Sequence, residues 1–183
     1  MFVIESVDKI KDEIIGESVQ KHNFPKSTVF PFGDLYKEIV TKIKTLEISA
    51  ECILYGSVES YNATKEFSDK DYWSQNTSDE EIKNYWIIGR TGQGDSWVMD
   101  INHKVFFYDH GLEEMSQENF VDFNINFEQW LQFAYLNKRL EVIYNEGNYN
   151  EEVGTKYKEK LKEISKELLE NYPWADYDNL VIE

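Results

Sequence analysis

The sequence predicts a protein of mixed helices and strands that is organised around a central β-meander. Residues Tyr85–His110 contain three short runs rich in β-branched and aromatic residues, and Gly, Asn or Asp bounds each run. The links between these runs are short enough for hairpin turns, although the usual glycine is missing from Asn102-His103. Apolar residues at helical spacing flank the stretch on both sides, so helices should pack against the meander.

The three predicted strands of the meander are Tyr85–Arg90, Asp95–Ile101 and Lys104–Asp109. Successive side chains of a strand point to opposite faces of the sheet. In the third strand this places Phe107 on one face and Phe106 with Tyr108 on the other. Because both faces carry aromatic rings, we expect at least part of each face to be covered.

Before the meander, the pattern predicts two helices, one strand, an irregular segment and a third, shorter helix. In order, these are a helix over Ser6–Glu17, a helix from Asp34 with a stripe reaching Leu46, a strand in Glu51–Tyr55, a polar and mainly irregular segment over Ser57–Tyr72, and a short helix after Ser78. Ser78 and Glu81 have the spacing of a capping box, which supports the last of these.

After the meander, the sequence predicts a short strand within Glu118–Ile125 and then the clearest helix of the chain, capped by Asn126 and ended by Gly147. A last helix is predicted over Thr155–Glu170. The length suits a single domain covering residues 1–183, in which residues 147–183 form a C-terminal helical appendage.

Acidity is the strongest feature of the composition. The 183 residues include 35 Asp and Glu against 19 Lys and Arg, for a formal net charge of −16. Nucleic-acid binding depends largely on neutralising phosphates with Lys and Arg, so we predict no direct nucleic-acid partner and, on the same grounds, no anionic membrane. A basic protein partner fits this charge. Solubility alone is an equally simple reason for it.

The sequence also indicates where the protein resides. Its apolar runs are only a few residues long, so no membrane span is predicted. The first residues lack the basic and apolar regions of a secretory signal. Cys52 is the single cysteine and cannot form an internal disulfide, which suits a reducing compartment. We therefore expect a cytoplasmic protein.

The motifs that could carry chemistry are incomplete. Gly89–Ser96 (GRTGQGDS) has the glycine spacing of a phosphate-binding loop, but Asp95 stands where that motif needs a lysine. The sequence instead predicts a glycine turn in which Asp95 bonds backbone amides. Asp109 and His110 are adjacent, but no serine or cysteine lies in a nucleophile context. We predict no catalytic residue, no metal and no cofactor.

Four segments, taken in order, resemble the SUKH superfamily, which contains fungal cell-wall assembly regulators of the Smi/Knr type and many bacterial immunity proteins. The segments are Trp86–Gly89 (WIIG), Gly92–Trp97 (GQGDSW), Val105–His110 (VFFYDH) and Phe127–Leu131 (FEQWL). The resemblance extends over residues 52–144. It is weak before Cys52, where Phe30–Phe32 replaces the family's usual Leu-Pro, and it is absent after Gly147.

This resemblance implies an α+β fold with a mainly antiparallel sheet flanked by helices, and it implies binding rather than catalysis. Bacterial members resemble antidotes that occupy toxin domains, many of them nucleases, whose phosphate-binding surfaces are basic. We therefore predict a cytoplasmic immunity protein that blocks a cognate toxin. The alternative is a regulatory scaffold of the cell-wall assembly type. The predicted contacts to the partner lie near one end of the sheet, at Tyr72, Trp73, Arg90, Gln93 and Asp95.

Overall fold

Six strands form one antiparallel sheet in which every strand pairs with its neighbours in the sequence. The computed structural model describes residues 2–16, 21–112 and 114–172. The strands are β1 (Leu46–Ser49), β2 (Cys52–Leu54), β3 (Tyr85–Arg90), β4 (Ser96–Asp100), β5 (Lys104–Tyr108) and β6 (Val121–Asn126). The architecture is α+β with an antiparallel sheet flanked by helices. The predicted meander is confirmed as β3, β4 and β5.

Seven α-helices are found in the described part of the chain. They are α1 (Val7–Ile15), α2 (Asp34–Val40), α3 (Ser57–Phe67), α4 (Asp79–Ile82), α5 (Phe127–Asn145), α6 (Glu151–Ile164) and α7 (Lys166–Asn171). Short 3₁₀ turns lie at Lys70–Tyr72 and Gln117–Asn119. The capping predictions hold for α4 and α5, since Ser78 with Glu81 and Asn126 with Gln129 form reciprocal capping boxes. None of the helices described here is long and apolar enough to cross a membrane.

The main core lies on one face of the sheet, between the strands and α5. Trp97 of β4 is fully buried there, with its ring centroid 5.9 Å from that of Trp130 and 5.8 Å from that of Phe133 on α5. Phe107 joins this group from β5, at 5.3 Å from Trp97. Rings at these separations and tilted angles stabilise a core beyond the area they bury. The clearest predicted helix is therefore the main cover of the sheet.

Helix α3 protects an edge of β3 that no strand in the described part of the chain covers. Strand β2 pairs with β3 only at Gly89 and Arg90, so the first half of β3 has an open side. There, the hydroxyl of Thr64 accepts a 2.9 Å bond from the backbone N–H of Ile87, and the hydroxyl of Ser60 donates a 2.6 Å bond to the carbonyl oxygen of Ile87. These hydroxyls satisfy backbone groups that a strand would otherwise pair.

Two predicted segments have a different structure. The irregular segment predicted over Ser57–Tyr72 contains α3, so that prediction was wrong. The stripe predicted as one helix from Asp34 to Leu46 ends at Val40, and Leu46 begins β1. The helix predicted over Ser6–Glu17 is confirmed as α1, but residue 17 lies outside the described part of the chain.

The C-terminal segment contains two helices rather than the one predicted over Thr155–Glu170. The break is at Ser165, whose hydroxyl donates a 2.6 Å bond to the carbonyl oxygen of Phe123 in β6 and accepts the N–H of Glu167 at the start of α7. Tyr157 and Leu168 are buried in the main core. The described part of the predicted appendage thus packs on the same core as the sheet.

Candidate functional site

A second layer covers the other face of the sheet, and we call it the acidic layer. It consists of residues 68–84, 109–112 and 114–120, which connect α3 to β3 and β5 to β6. The two connections meet in a short parallel bridge between Trp73 and Met115. The N–H of Met115 donates to the carbonyl oxygen of Tyr72 at 2.8 Å, and the N–H of Ser74 donates to that of Met115 at 3.0 Å. The bridge joins two segments that are distant in sequence.

Apolar side chains hold the acidic layer on the sheet. The layer contributes Trp73, Ile82, Met115 and Phe120, and the sheet contributes Ile87, Val98 and Tyr108. The ring of Trp73 stacks on that of Tyr85 with centroids 5.5 Å apart, and Phe120 meets the Tyr85 ring edge-on at 5.0 Å. This small second core fixes the layer to β3, β4 and β5. The expectation that both faces of the meander are covered is confirmed.

The outer surface of the acidic layer is strongly negative. Its 28 residues include eight carboxylates and two lysines, and all eight carboxylates are exposed. They are Asp69, Asp71, Asp79, Glu80, Glu81, Asp109, Glu114 and Glu118. The lysines form two loose pairs, Lys70 with Asp79 and Lys83 with Glu80, each at 3.9 Å. The two lysines offset two of the eight negative charges, so the layer keeps a formal net charge of −6 and a negative potential.

Apolar side chains also reach the surface of the acidic layer. Tyr72 is 40% exposed and Leu112 is 42% exposed. The hydroxyl of Tyr72 donates to Glu66 on α3 at 3.4 Å, and the neighbouring Glu66 carboxylate raises the pKa of Tyr72 above its usual value. Exposed aromatic and aliphatic side chains within a charged rim are typical of protein interfaces. Such a surface can recognise a macromolecule.

The structure does not bring the five predicted contact residues to one end of the sheet. Arg90, Gln93 and Asp95 lie at the β3–β4 turn, whereas Trp73 stacks on Tyr85 at the opposite end of β3. The side chains also differ in access. Arg90, Gln93 and Tyr72 are exposed, but Trp73 is only 5% exposed and Asp95 only 4%. Trp73 and Asp95 therefore support the fold around them.

Asp95 is the centre of a hydrogen-bonded group at the β3–β4 turn. Its Oδ2 accepts the hydroxyl of Thr91 at 3.0 Å, and its Oδ1 accepts the backbone N–H of His110 at 3.2 Å. The Nδ1 atom of His110 lies 2.7 Å from the same Oδ1, and since a carboxylate can only accept, Nδ1 carries the proton. The sequence predicts that Asp95 bonds backbone amides of a glycine turn. Among the described residues, however, the one backbone amide that its carboxylate accepts is that of His110 after β5, and the hydroxyl of Thr91 accepts the turn amides of Gln93 and Asp95.

The same group has ligand atoms of Asp95, Asp109 and His110 within 4.8 Å of one another. These are residue types that bind divalent metals. However, both oxygens of Asp95 are engaged in holding the turn, and Oδ1 of Asp109 accepts the N–H of Gly111 at 2.7 Å. The hydroxyl of Thr91 is engaged too, because it also accepts the backbone N–H groups of Gln93 and Asp95. These hydrogen bonds explain why the three residues lie together, because they tie the start of β4 to the end of β5.

Sequence reasoning missed the acidic layer as a surface. Apart from the short helix predicted after Ser78 and the strand predicted within Glu118–Ile125, the sequence predicts only connections in these segments, because their apolar residues do not repeat with a helical or strand period. A signal was nevertheless present, since eight of the chain's acidic residues fall in only 28 positions. What the sequence could not show is that two distant segments lie side by side.

Comparison with known proteins leaves the family unassigned. No family model matches the chain, and neither a curated protein nor a solved structure matches it. The similarity to the SUKH superfamily therefore stays a prediction from the four sequence segments.

Proposed function

We propose that this chain is a non-enzymatic immunity protein of the SUKH type, which acts in the cytoplasm by binding and blocking a cognate toxin domain with a basic surface. The observation that carries the proposal is the acidic layer, with its eight exposed carboxylates against two lysines. Nuclease surfaces that hold phosphate backbones are rich in Lys and Arg. Carboxylates on a complementary protein surface can occupy the same positions as those phosphates.

Two properties of the acidic layer suit this role. Its net negative charge would steer a basic partner and raise the association rate by roughly 10- to 1,000-fold. Tyr72 and Leu112 would supply the apolar contacts that such an interface needs at its centre. A standard interface covers about 800 Å² on each partner, which an assembly of several loops and a short helix can provide. Blocking would be steric, so no bond-making step is required.

The SUKH resemblance supports the proposal through the fold. The WIIG segment forms β3, the GQGDSW segment forms the turn into β4, and the VFFYDH segment forms β5 and the residues that bond Asp95. These segments build the sheet and its Asp95 turn. Most of the acidic layer is built by residues outside these segments, and only Asp109 and His110 at the end of VFFYDH belong to both. In this proposal the SUKH-like segments form the support, and the acidic layer that lies on it makes the contact with the toxin.

The proposal is tested with the toxin domain encoded by the gene next to this one. That domain is expressed in bacteria alone and together with this chain. We expect the toxin domain to arrest growth alone, and co-expression to restore growth and to give a complex that co-purifies. If the neighbouring domain is toxic but this chain neither restores growth nor binds it, the immunity proposal is wrong. Absence of any toxic neighbour would favour the scaffold alternative.

A further inference from the structure

A slot of about 270 Å³ lies beside the first half of β3, and we call it the aromatic slot. Its walls come from the second half of α3, from residues 27–30, from the end of α4 and from β3 itself. Six of its fifteen lining residues are aromatic, so the slot offers ring contacts on several sides. These six are Phe30, Tyr61, Phe67, Trp73, Tyr85 and Trp86.

The charged residues that line the aromatic slot are both lysines. Lys65 belongs to α3 and Lys83 follows α4, and no aspartate or glutamate of the described chain lines the slot. Both lysines are exposed. Lys65 forms no ion pair with a described residue, and Lys83 reaches Glu80 only loosely, at 3.9 Å. In a chain with a net charge of −16, the slot therefore has a positive rim that is available to an anion.

Thr28 adds a hydrogen-bonding group to the wall of the slot. Its Oγ1 atom is buried and has no hydrogen-bond partner among the described residues. The other threonine that lines the slot, Thr64, already accepts the backbone N–H of Ile87. A buried hydroxyl without a partner is unfavourable, so a ligand oxygen beside Thr28 would be stabilised by it.

We propose that the aromatic slot binds a small aromatic carboxylic acid. The ring would pack among the aromatic residues, and the carboxylate would accept charge-assisted hydrogen bonds from Lys65 and Lys83. Thr28 supplies a further donor on the wall. An amine of the same shape would be repelled by the two lysines, and a neutral compound would lack the charged contacts. The volume lies just below the roughly 300–1,000 Å³ of typical ligand sites, which suits one or two fused rings.

This ligand site is independent of the proposed function. None of the eight carboxylates of the acidic layer lines the slot, and the test needs no toxin domain. The slot does share Trp73, Ile82 and Ile87 with the small second core that holds the acidic layer on the sheet. A bound ligand would therefore also stabilise the attachment of that layer.

The test compares naphthylacetate, naphthylethanol and naphthylethylamine, which share a ring system and differ in the charge of the end group. Each compound is titrated into the isotope-labelled full chain, and the tryptophan indole N–H signals are followed by NMR. Naphthylacetate should bind saturably with a Kd below about 1 mM, about fivefold or more tightly than the alcohol, and the amine should bind least. The signals of Trp73 and Trp86 should shift, whereas those of Trp97 and Trp130 in the main core should not.

Charge variants test the role of the two lysines. The double variant Lys65→Gln and Lys83→Gln should weaken naphthylacetate binding about fivefold or more and leave naphthylethanol binding unchanged, because only the acid uses these charges. The control variant Lys37→Gln and Lys162→Gln removes two positive charges at exposed positions that do not line the slot. It should change the affinity for naphthylacetate less than about twofold.

Four results would each overturn the proposal. The first is an absence of saturable naphthylacetate binding, and the second is equal affinity for the acid and the alcohol. The third is binding that leaves the Trp73 and Trp86 signals in place, since the ligand would then lie elsewhere. The fourth is an equal effect of the two double variants on naphthylacetate binding, which would show that net charge and not the rim of the slot attracts the acid.

Discussion

The backbone of Gly89 passes so close to β2 that a Cβ atom on Gly89 would lie 2.2 Å from the carbonyl oxygen of Ile53. The obstructing atom is main chain in the middle of the sheet, so it cannot rotate away. The pairing of β3 with β4 also shifts register between Ile87 and Gly89. Glycine is required at position 89 because the backbones of β2 and β3 approach too closely there to admit a side chain. This packing explains the glycine at the end of the WIIG segment.

We expect Gly89→Ala to lower the free energy of unfolding by about 3 kcal/mol or more, because the sheet must open to admit the methyl group. Chemical denaturation followed by tryptophan fluorescence measures this loss. Gly92→Ala is the control, since a Cβ there would be 3.3 Å from the carbonyl oxygen of Ala50 and needs only a small shift. Equal losses in the two variants would contradict the steric argument.

The hydrogen bonds from α3 to the edge of β3 give a second prediction. Thr64→Val keeps the shape of the side chain but removes the oxygen that accepts the N–H of Ile87. The unfolding free energy should fall by about 1–2 kcal/mol, because that N–H is left without an acceptor. Thr155→Val, at an exposed position of α6, makes the same change in helix propensity without this bond. If both substitutions cost the same, the hydroxyl bond to Ile87 does not stabilise the fold.

These residues also show why α3 could not be predicted. Hydrophobic periodicity identifies a helix only when its inner side is apolar. The inner side of α3 includes Ser57, Ser60 and Thr64, which bond to backbone instead of filling a core. The meander strands were predictable because each is bounded by turn residues and alternates large side chains over two covered faces.

Two helices were predicted to be too long, because apolar residues keep their helical spacing beyond the point where the helix ends. Ile43 and Leu46 continue the stripe of α2, yet α2 ends at Val40 and Leu46 starts a strand. Leu161, Ile164 and Leu168 likewise form one stripe across the break at Ser165. The spacing of apolar residues does not reveal the hydrogen bond from Ser165 to Phe123 of β6, which lies at the end of α6. The candidate surface was hidden for a similar reason, since its two segments meet only in three dimensions.

Two of the predicted contact residues at the β3–β4 turn, Asp95 and Gln93, should differ in how much they stabilise the fold. Asp95→Ala removes the acceptor for Thr91 and for two donors of His110, so we expect the unfolding free energy to fall by about 1–3 kcal/mol. Gln93→Ala, at an exposed position of the same turn, should change stability little. Thermal denaturation of both variants provides the measurement. Unchanged stability in Asp95→Ala would show that the buried bonds are not needed for the turn.

Glu51 gives a prediction on pH. Burial raises the pKa of Glu51, with a smaller contribution from the nearby Asp95 charge, although the hydroxyl of Tyr172 donates to it. Because the folded state holds this proton more tightly than the unfolded state, the stabilising contribution is present below the ordinary glutamate pKa and is lost as the pH rises through the raised value.

Glu51→Gln keeps an acceptor for Tyr172 without a charge, so it should raise the melting temperature at neutral pH. The gain should shrink towards acid pH, where Glu51 itself becomes neutral. Melting curves across an acid-to-neutral pH series measure this, with Glu118→Gln as an exposed control. A gain that is the same at every pH would show that Glu51 is not the group responsible.

The acidic layer makes a prediction on association kinetics once a basic toxin domain is in hand. The layer variant carries Asp71→Asn, Glu114→Gln and Glu118→Gln. The control variant carries Glu128→Gln, Glu146→Gln and Glu159→Gln, all exposed and outside the layer. Both lose three negative charges, so a difference between them reports where the charges lie. Because steering depends on charges near the contact surface, the layer variant should associate about tenfold more slowly, and the control should change less.

Salt provides the second half of this prediction. Screening shortens the range of the field to about 8 Å at physiological ionic strength and to about 3 Å at 1 M, so the difference in association rate should nearly vanish at high salt. Stopped-flow fluorescence at several salt concentrations measures it. If the two variants slow association equally at low salt, the net charge of the chain steers the partner. The acidic layer would then have no special part in recognition, even if the complex itself forms.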